Sequence, residues 1–194
     1  MIDEALALVE SDGVAALTMR RLADRLGVNP MTLYLRFENK EELLGAMVGR
    51  RLAEIDAPAP DGSLEDRLTT WTCSVRDQLV VVGALLPAVS SGHQLASTML
   101  DGSETGLALI AEAGIDDADA VDALRSLFWH AVAFAVLRPT MHAHAPELLR
   151  NGSLSPDDHP NLTRLAGGFG EFDPDDLFER TTRALVRGLV APTT

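Results

Sequence analysis

TMRRLADRLGVNPMTLYLRFENK, residues 18–40, reads as two short helices meeting at a tight turn. Thr18 places a hydroxyl where it can cap the first helix. Met19, Leu22, Ala23 and Leu26 then recur at helical spacing, with Arg20, Arg21, Asp24 and Arg25 on the opposite face. Gly27 supplies the positive φ that a sharp turn needs. Asn29 caps the second helix, and Pro30 falls in its first turn, where no N–H is missed. Leu33 and Phe37, four residues apart, pack that helix inward, and the small Ala23 lets the two helices cross closely. This is a helix-turn-helix pattern, in which a partner helix holds a second one at a steep angle to the major groove of DNA.

The flanks extend the pattern. Ile2, Ala5, Leu6 and Val9 share one face of a preceding helix, which Gly13 can stop. Asn39 and Glu42 form a capping box for a fourth helix over 41–56, striped by Leu43, Leu44, Met47, Val48, Leu52 and Ile55. APAPDGS (57–63) breaks the helical pattern and sets a boundary between a domain at 1–56 and one at 57–194. The second domain also has helical period, at about 64–82, 84–90, 94–113, 117–138 and 174–190. Residues 139–174 read as a loop with a short helix near 160–168. No alternating run resembles a strand, so the expected fold class is all-α.

Composition narrows the function. The 194 residues are 46% apolar, enough for a real core, and carry a net charge of −13. That charge taken alone argues against a nucleic-acid binder. Its distribution does not: residues 18–40 hold five basic and two acidic side chains, whereas residues beyond 52 carry −12. Lys40, at the end of the motif, is the only lysine. Cys73 is the only cysteine, which excludes an internal disulfide and a cysteine-based metal site. MIDEALALVE lacks a basic signal-peptide start, and the longest apolar run, LFWHAVAFAVL (127–137), is too short to span a bilayer. A soluble cytoplasmic protein is expected. No phosphate loop, HExxH, CxxC or nucleophile elbow occurs, so no enzyme activity or cofactor is expected.

The second helix of the motif should expose Pro30, Met31, Thr32, Tyr34, Leu35 and Arg36. Met31 and Thr32 can touch thymine methyls, Arg36 a guanine edge or phosphate, and Tyr34 a phosphate. Lys40 and the N–H groups opening the fourth helix face the DNA backbone, and Arg20 is a further phosphate candidate.

GVAALTMRRLADRLGVNPMTLYLRFENKEELLGAM closely resembles the N-terminal domain of tetracycline-repressor (TetR) family regulators, over about Ile2 to Leu52. Its most specific parts are Leu17–Ala23, the Leu-Gly-Val turn at 26–28, Thr-Leu-Tyr at 32–34, and Asn-Lys with an acidic helix start at 39–42. The resemblance implies a homodimeric repressor that leaves a palindromic operator when a small-molecule effector binds. It implies DNA contacts from Pro30, Met31, Thr32, Tyr34 and Arg36, a phosphate grip at Lys40, and second-helix contacts at Met19 and Arg20. Some relatives place an arginine and a histidine after the tyrosine. Leu35 and Arg36 stand there in this chain. Many relatives also carry a basic arm ahead of the first helix, and here the helix begins at once.

The body offers weaker signals. DPDDLFERTTRALVRGL (173–189) looks like the last helix of many TetR relatives. The helix at 117–138 is apolar almost all round after Leu127, so it must be buried on more than one side. These two helices are expected to pair with their copies in a four-helix dimer interface through Phe128, Val132, Leu185, Gly188 and Leu189, with Ala184 allowing close approach. Trp71, Met99, Phe128, Trp129, Phe134 and Met141, with Leu85 and Leu107, are candidates to line an effector pocket; ordinary core is the alternative for each. His130 reads as a hydrogen-bonded core histidine. His142 and His144 sit i, i+2, near His93 and His159 only by conjecture, and read as exposed loop in preference to a metal site. The competing function is a helical protein-interaction module that no longer binds DNA.

Overall fold

The computed structural model describes residues 1–55, 57–89, 100–141, 155–169 and 173–190. Among them all regular structure is helical, in the order α1 (Ile2–Asp12), α2 (Met19–Leu26), α3 (Pro30–Tyr34), α4 (Lys40–Leu52), α5 (Leu64–Val82), α6 (Leu100–Glu112), α7 (Asp117–Met141), α8 (Pro160–Leu165) and α9 (Pro174–Val190). Short 3₁₀ turns occupy Val14–Ala16, Gly83–Ala88 and Ala166–Phe169.

The helix starts follow the sequence closely. Thr18 Oγ1 accepts the Arg21 N–H at 3.1 Å, and Asn29 Oδ1 accepts the Met31 N–H at 2.9 Å. Asn39 Oδ1 accepts the Glu42 N–H at 2.9 Å. The reciprocal bond of the expected capping box runs one residue upstream, from the Glu38 N–H to the Glu42 carboxylate. Gly27 adopts φ 67°, and the following Val28 N–H bonds the Ala23 carbonyl at 3.0 Å. This closes α2 and turns the chain into α3.

α1 to α4 form a head around Leu6, Leu8, Leu17, Leu22, Leu33 and Leu43, all buried. Leu8, outside the expected apolar face of α1, is among the most enclosed. α4 ends at Leu52, earlier than expected; Ala53 caps it, and Ile55 follows in a turn whose N–H bonds the Leu52 carbonyl.

α5 is the axis of the body and packs against α4, α6, α7 and α9. Glu65 and Asp66 at its start receive Arg183 and Arg187 from α9. Those cations, with the Ser63 hydroxyl on Asp66, hold both carboxyls below their usual range. α7 runs to Met141, further than expected. Asp117–Arg138 is long and apolar enough to cross a bilayer (mean hydropathy 1.4), yet it packs along α5, α6 and α9. One side, Ala123, Leu127, Ala131, Phe134 and Ala135, enters the body core. Another, Val121, Arg125, Trp129, Ala133 and Val136, faces outward.

Gly106 on α6 lies where a Cβ would stand 2.6 Å from Cζ2 and Cη2 of the buried Trp71. Gly106→Ala therefore must displace a rigid indole, and urea unfolding should show a loss of about 1–3 kcal/mol. Gly167→Ala, which meets nothing within 4 Å, should leave the unfolding free energy within ~0.5 kcal/mol.

Candidate nucleic-acid interface and body cavity

Burying Leu33 and Phe37 turns the rest of α3 and its C-cap to solvent. Met31 is 65% exposed and Leu35 83%, with Thr32, Tyr34 and Arg36 also exposed and Pro30 half-buried. Arg20 and Lys40 are exposed at the starts of α2 and α4. Met19 is the exception among the expected contacts. At 7% exposure it belongs to the head core, because the first turn of α2 points that position inward beside Leu22 and Ala23.

The arginines divide into two groups. Arg21 pairs with Asp12 at 2.5 Å and Arg25 with Glu4; Arg50 pairs with Asp3 at 3.3 Å and Arg51 with Glu10 at 2.6 Å. All four acidic residues of α1 are thus used to tie it to α2 and α4. Arg20, Arg36 and Lys40 make no ion pair among the described residues, and they flank the exposed face of α3. The face that could meet DNA is cationic even though the chain is acidic.

In the body, Leu52, Ile55, Trp71, Val75, Gly102, Ser103, Leu124, Arg125 and Phe128 line an apolar cavity of about 100 Å³. Trp71 is 2% exposed, and its indole N–H has no hydrogen-bond partner among the described residues. Of the expected pocket residues, Trp71 and Phe128 come together here. Trp129 does not: it is 63% exposed on the outer side of α7. Phe134 is buried away from this cavity, 4.8 Å from Phe178 ring to ring, with the Arg76 guanidinium over both rings. Leu85 is core and Leu107 half-buried. Met99 and the side chain of Met141 lie outside the described residues. So do His93, His142 and His144, while His159 is exposed.

Of the expected dimer contacts, Phe128 faces the cavity, Val132, Leu185 and Leu189 are half-buried, and Gly188 is exposed. On α9, Thr181, Ala184 and Gly188 are exposed. His130 joins the two helices: it stacks on Phe178 (centroids 4.6 Å apart), and its Nε2 lies 3.2 Å from Thr181 Oγ1. Burial lowers its pKa, which favours the neutral ring. Burial likewise raises the Cys73 pKa, which favours the protonated thiol.

The residues missed from sequence were Leu52, Ile55, Val75, Leu124 and Arg125 in the cavity, and Val121 and Val136 on the outer strip. Their helical spacing was visible, but it does not say which neighbour each face meets.

The chain matches two family models: "Bacterial regulatory proteins, tetR family" over residues 1–47, and "Tetracyclin repressor-like, C-terminal domain" over 57–191. It is 32% identical to the class A tetracycline repressor from transposon 1721 of Escherichia coli, over 97% of this chain and 88% of that protein. Among solved structures it is similar to apo ActR of Streptomyces coelicolor (TM-score 0.84, 26% identity, 98% of this chain and 92% of that one). It is also similar to ActR in complex with actinorhodin (TM-score 0.84, 25% identity, 98% and 94%).

Three cations per head give a definite salt dependence. At about −0.9 per phosphate neutralised, two heads on one duplex give a log–log slope of about −5, against roughly −9 if Arg21 and Arg25 also contributed. A titration by fluorescence anisotropy should show the shallower value. Arg25→Ala should leave the slope unchanged, and Lys40→Ala should flatten it by about 2 in the two-headed complex.

Proposed function

The chain belongs to the tetR family of bacterial regulatory proteins, and on that premise we propose how this DNA-binding transcriptional regulator grips and releases its operator. Residues 1–56 form the reading head and 57–194 the effector-binding and dimerisation body. Pro30, Met31, Thr32, Tyr34 and Arg36 address base edges and nearby phosphates; Arg20 and Lys40 hold the backbone. We assign no catalytic role, and the protein acts in the cytoplasm, where an operator is accessible.

Two copies pair through α7 and α9. Apart from Arg125, the exposed side chains of the outer strip are apolar or small, Val121, Trp129, Ala133 and Val136 on α7, with Ala184 and Gly188 exposed on α9, and a symmetric partner would cover them. A symmetric pair also matches a palindromic operator, whose half-sites lie about 34–36 Å apart.

The effector enters the cavity beside Trp71. One observation carries this reading: Leu52, the last residue of the helix that begins at Lys40, and Ile55, in the turn that follows it, are walls of that cavity. Drug-sized ligands occupy roughly 300–1,000 Å³, so a ligand of that size must push the walls apart. The wall contributed by α4 belongs to the head. The lining favours an apolar ligand. That ActR has been solved with actinorhodin supports a small-molecule effector for a body of this fold. A coupling of about 1–3 kcal/mol would lower operator affinity roughly 5- to 150-fold.

Filling the cavity by mutation should imitate the effector. A Cβ on Gly102 would lie 3.8 Å from Ile55 Cδ1, so Gly102→Phe presses on the turn that closes α4. Operator affinity should fall at least fivefold or so with far-ultraviolet circular dichroism unchanged; full affinity in a folded variant would refute the lever. For the dimer, Trp129→Glu and Gly188→Glu should each sediment as monomers, and an intact dimer in both would move the interface elsewhere.

A further inference from the structure

The side of α3 turned away from the core is apolar, with Met31 65% and Leu35 83% exposed. At about 100° per residue, Met31 and Leu35 lie roughly 160–200° around the helix from Leu33, directly opposite the core. The Leu35 N–H bonds the Met31 carbonyl at 3.1 Å, so the two side chains stand one turn apart on a single ridge. Thr32 and Arg36 flank the ridge on one side and Tyr34 on the other. Whatever enters a groove first is therefore a methionine and a leucine, two side chains with no strong donor or acceptor to offer a base.

We propose that Met31 and Leu35 form a methyl-reading edge that selects operators by the C5-methyl groups of thymine. This rests on the DNA-binding reading above and adds Leu35, for which sequence reading found no role. The thymine methyl is the apolar group that the major groove displays; the other base edges there present donors and acceptors. An apolar ridge held against those polar edges strips them of water and returns nothing, so it discriminates against G·C pairs as well as for T·A. The flanking Arg20, Arg36 and Lys40 supply the charge complementarity that holds the ridge against a duplex.

The test uses the full chain to enrich duplexes from a random-sequence pool. The enriched duplex is then remade with each thymine replaced singly by deoxyuridine, which deletes only the methyl. At one or two positions in each half-site affinity should drop about fourfold, the worth of one buried methyl-sized group. Leu35→Ala and Met31→Ala should each weaken binding to the thymine duplex and abolish the deoxyuridine penalty at one position only. Both side chains are exposed, so thermal melting should be unchanged. If every deoxyuridine duplex binds like its parent, or Leu35→Ala keeps the whole thymine preference, the inference is overturned while DNA reading stands. If no duplex is enriched even at low salt, the regulator reading fails and takes the inference with it.

Discussion

The direction in which α3 faces is set by two side chains. Leu33 and Phe37 are buried in the head core beneath α2, and each contributes about 1.5–3 kcal/mol by leaving water. Turning α3 by one residue, roughly 100°, would withdraw both and push Tyr34 or Thr32 into their place. Nothing else in so short a helix is strong enough to fix it, since five residues cannot stabilise a helix alone. The turn at Gly27 and the cap at Asn29 set where α3 starts; Leu33 and Phe37 set its rotation. The outward positions of Met31, Thr32, Leu35 and Arg36 all follow from that choice.

Electrostatics then act on a surface already defined by packing. A net charge of −13 would repel a duplex if it were spread evenly. The head avoids this by pairing every acidic residue of α1 with an arginine of α2 or α4. Exposed pairs of this kind are worth only about 0–1 kcal/mol each in stability. Their larger consequence is allocation: the paired arginines lie on the α1 side of the head, and the unpaired cations lie around α3. Most remaining acidity is in the body, and screening over a Debye length of about 8–10 Å limits its reach to the recognition face.

What could be read from sequence was whatever local chemistry determines. Thr18, Gly27, Asn29 and Asn39 each act through their own few neighbours, and each performs its expected task. α5 and α9 begin and end at the expected residues because Ser63, Gly83 and Pro174 punctuate them. The failures have a common cause. α7 is apolar on nearly every side beyond Leu127, so its pattern cannot tell inner from outer: the Phe128 and Trp129 rings meet edge to face at 6.1 Å, yet only Phe128 reaches the cavity. Met19 fits both an apolar face and a family contact position, and burial decides between them. Ile55 continues the stripe of α4 in sequence but lies beyond its end. Its place in the cavity wall depends on where Ala53 caps the helix, and helix ends are the least determined feature of a periodic pattern.

The geometry of α4 explains why so small a cavity can matter. The helix has 13 residues, about 20 Å at 1.5 Å per residue. Lys40 stands at the DNA face and Leu52 at the cavity wall. α4 packs on α1 within the head and on α5 within the body, and close-packed interiors shift between discrete arrangements more readily than they deform. In the proposed lever, displacing its far end by an ångström or two would tilt the whole head on that contact, because α1 to α4 share one buried core. In a symmetric pair both heads tilt together, so the change in spacing between the two α3 helices is twice that of one. A duplex offers its major grooves only at fixed intervals, and a pair of heads out of register by a few ångströms can seat one α3 at the cost of the other.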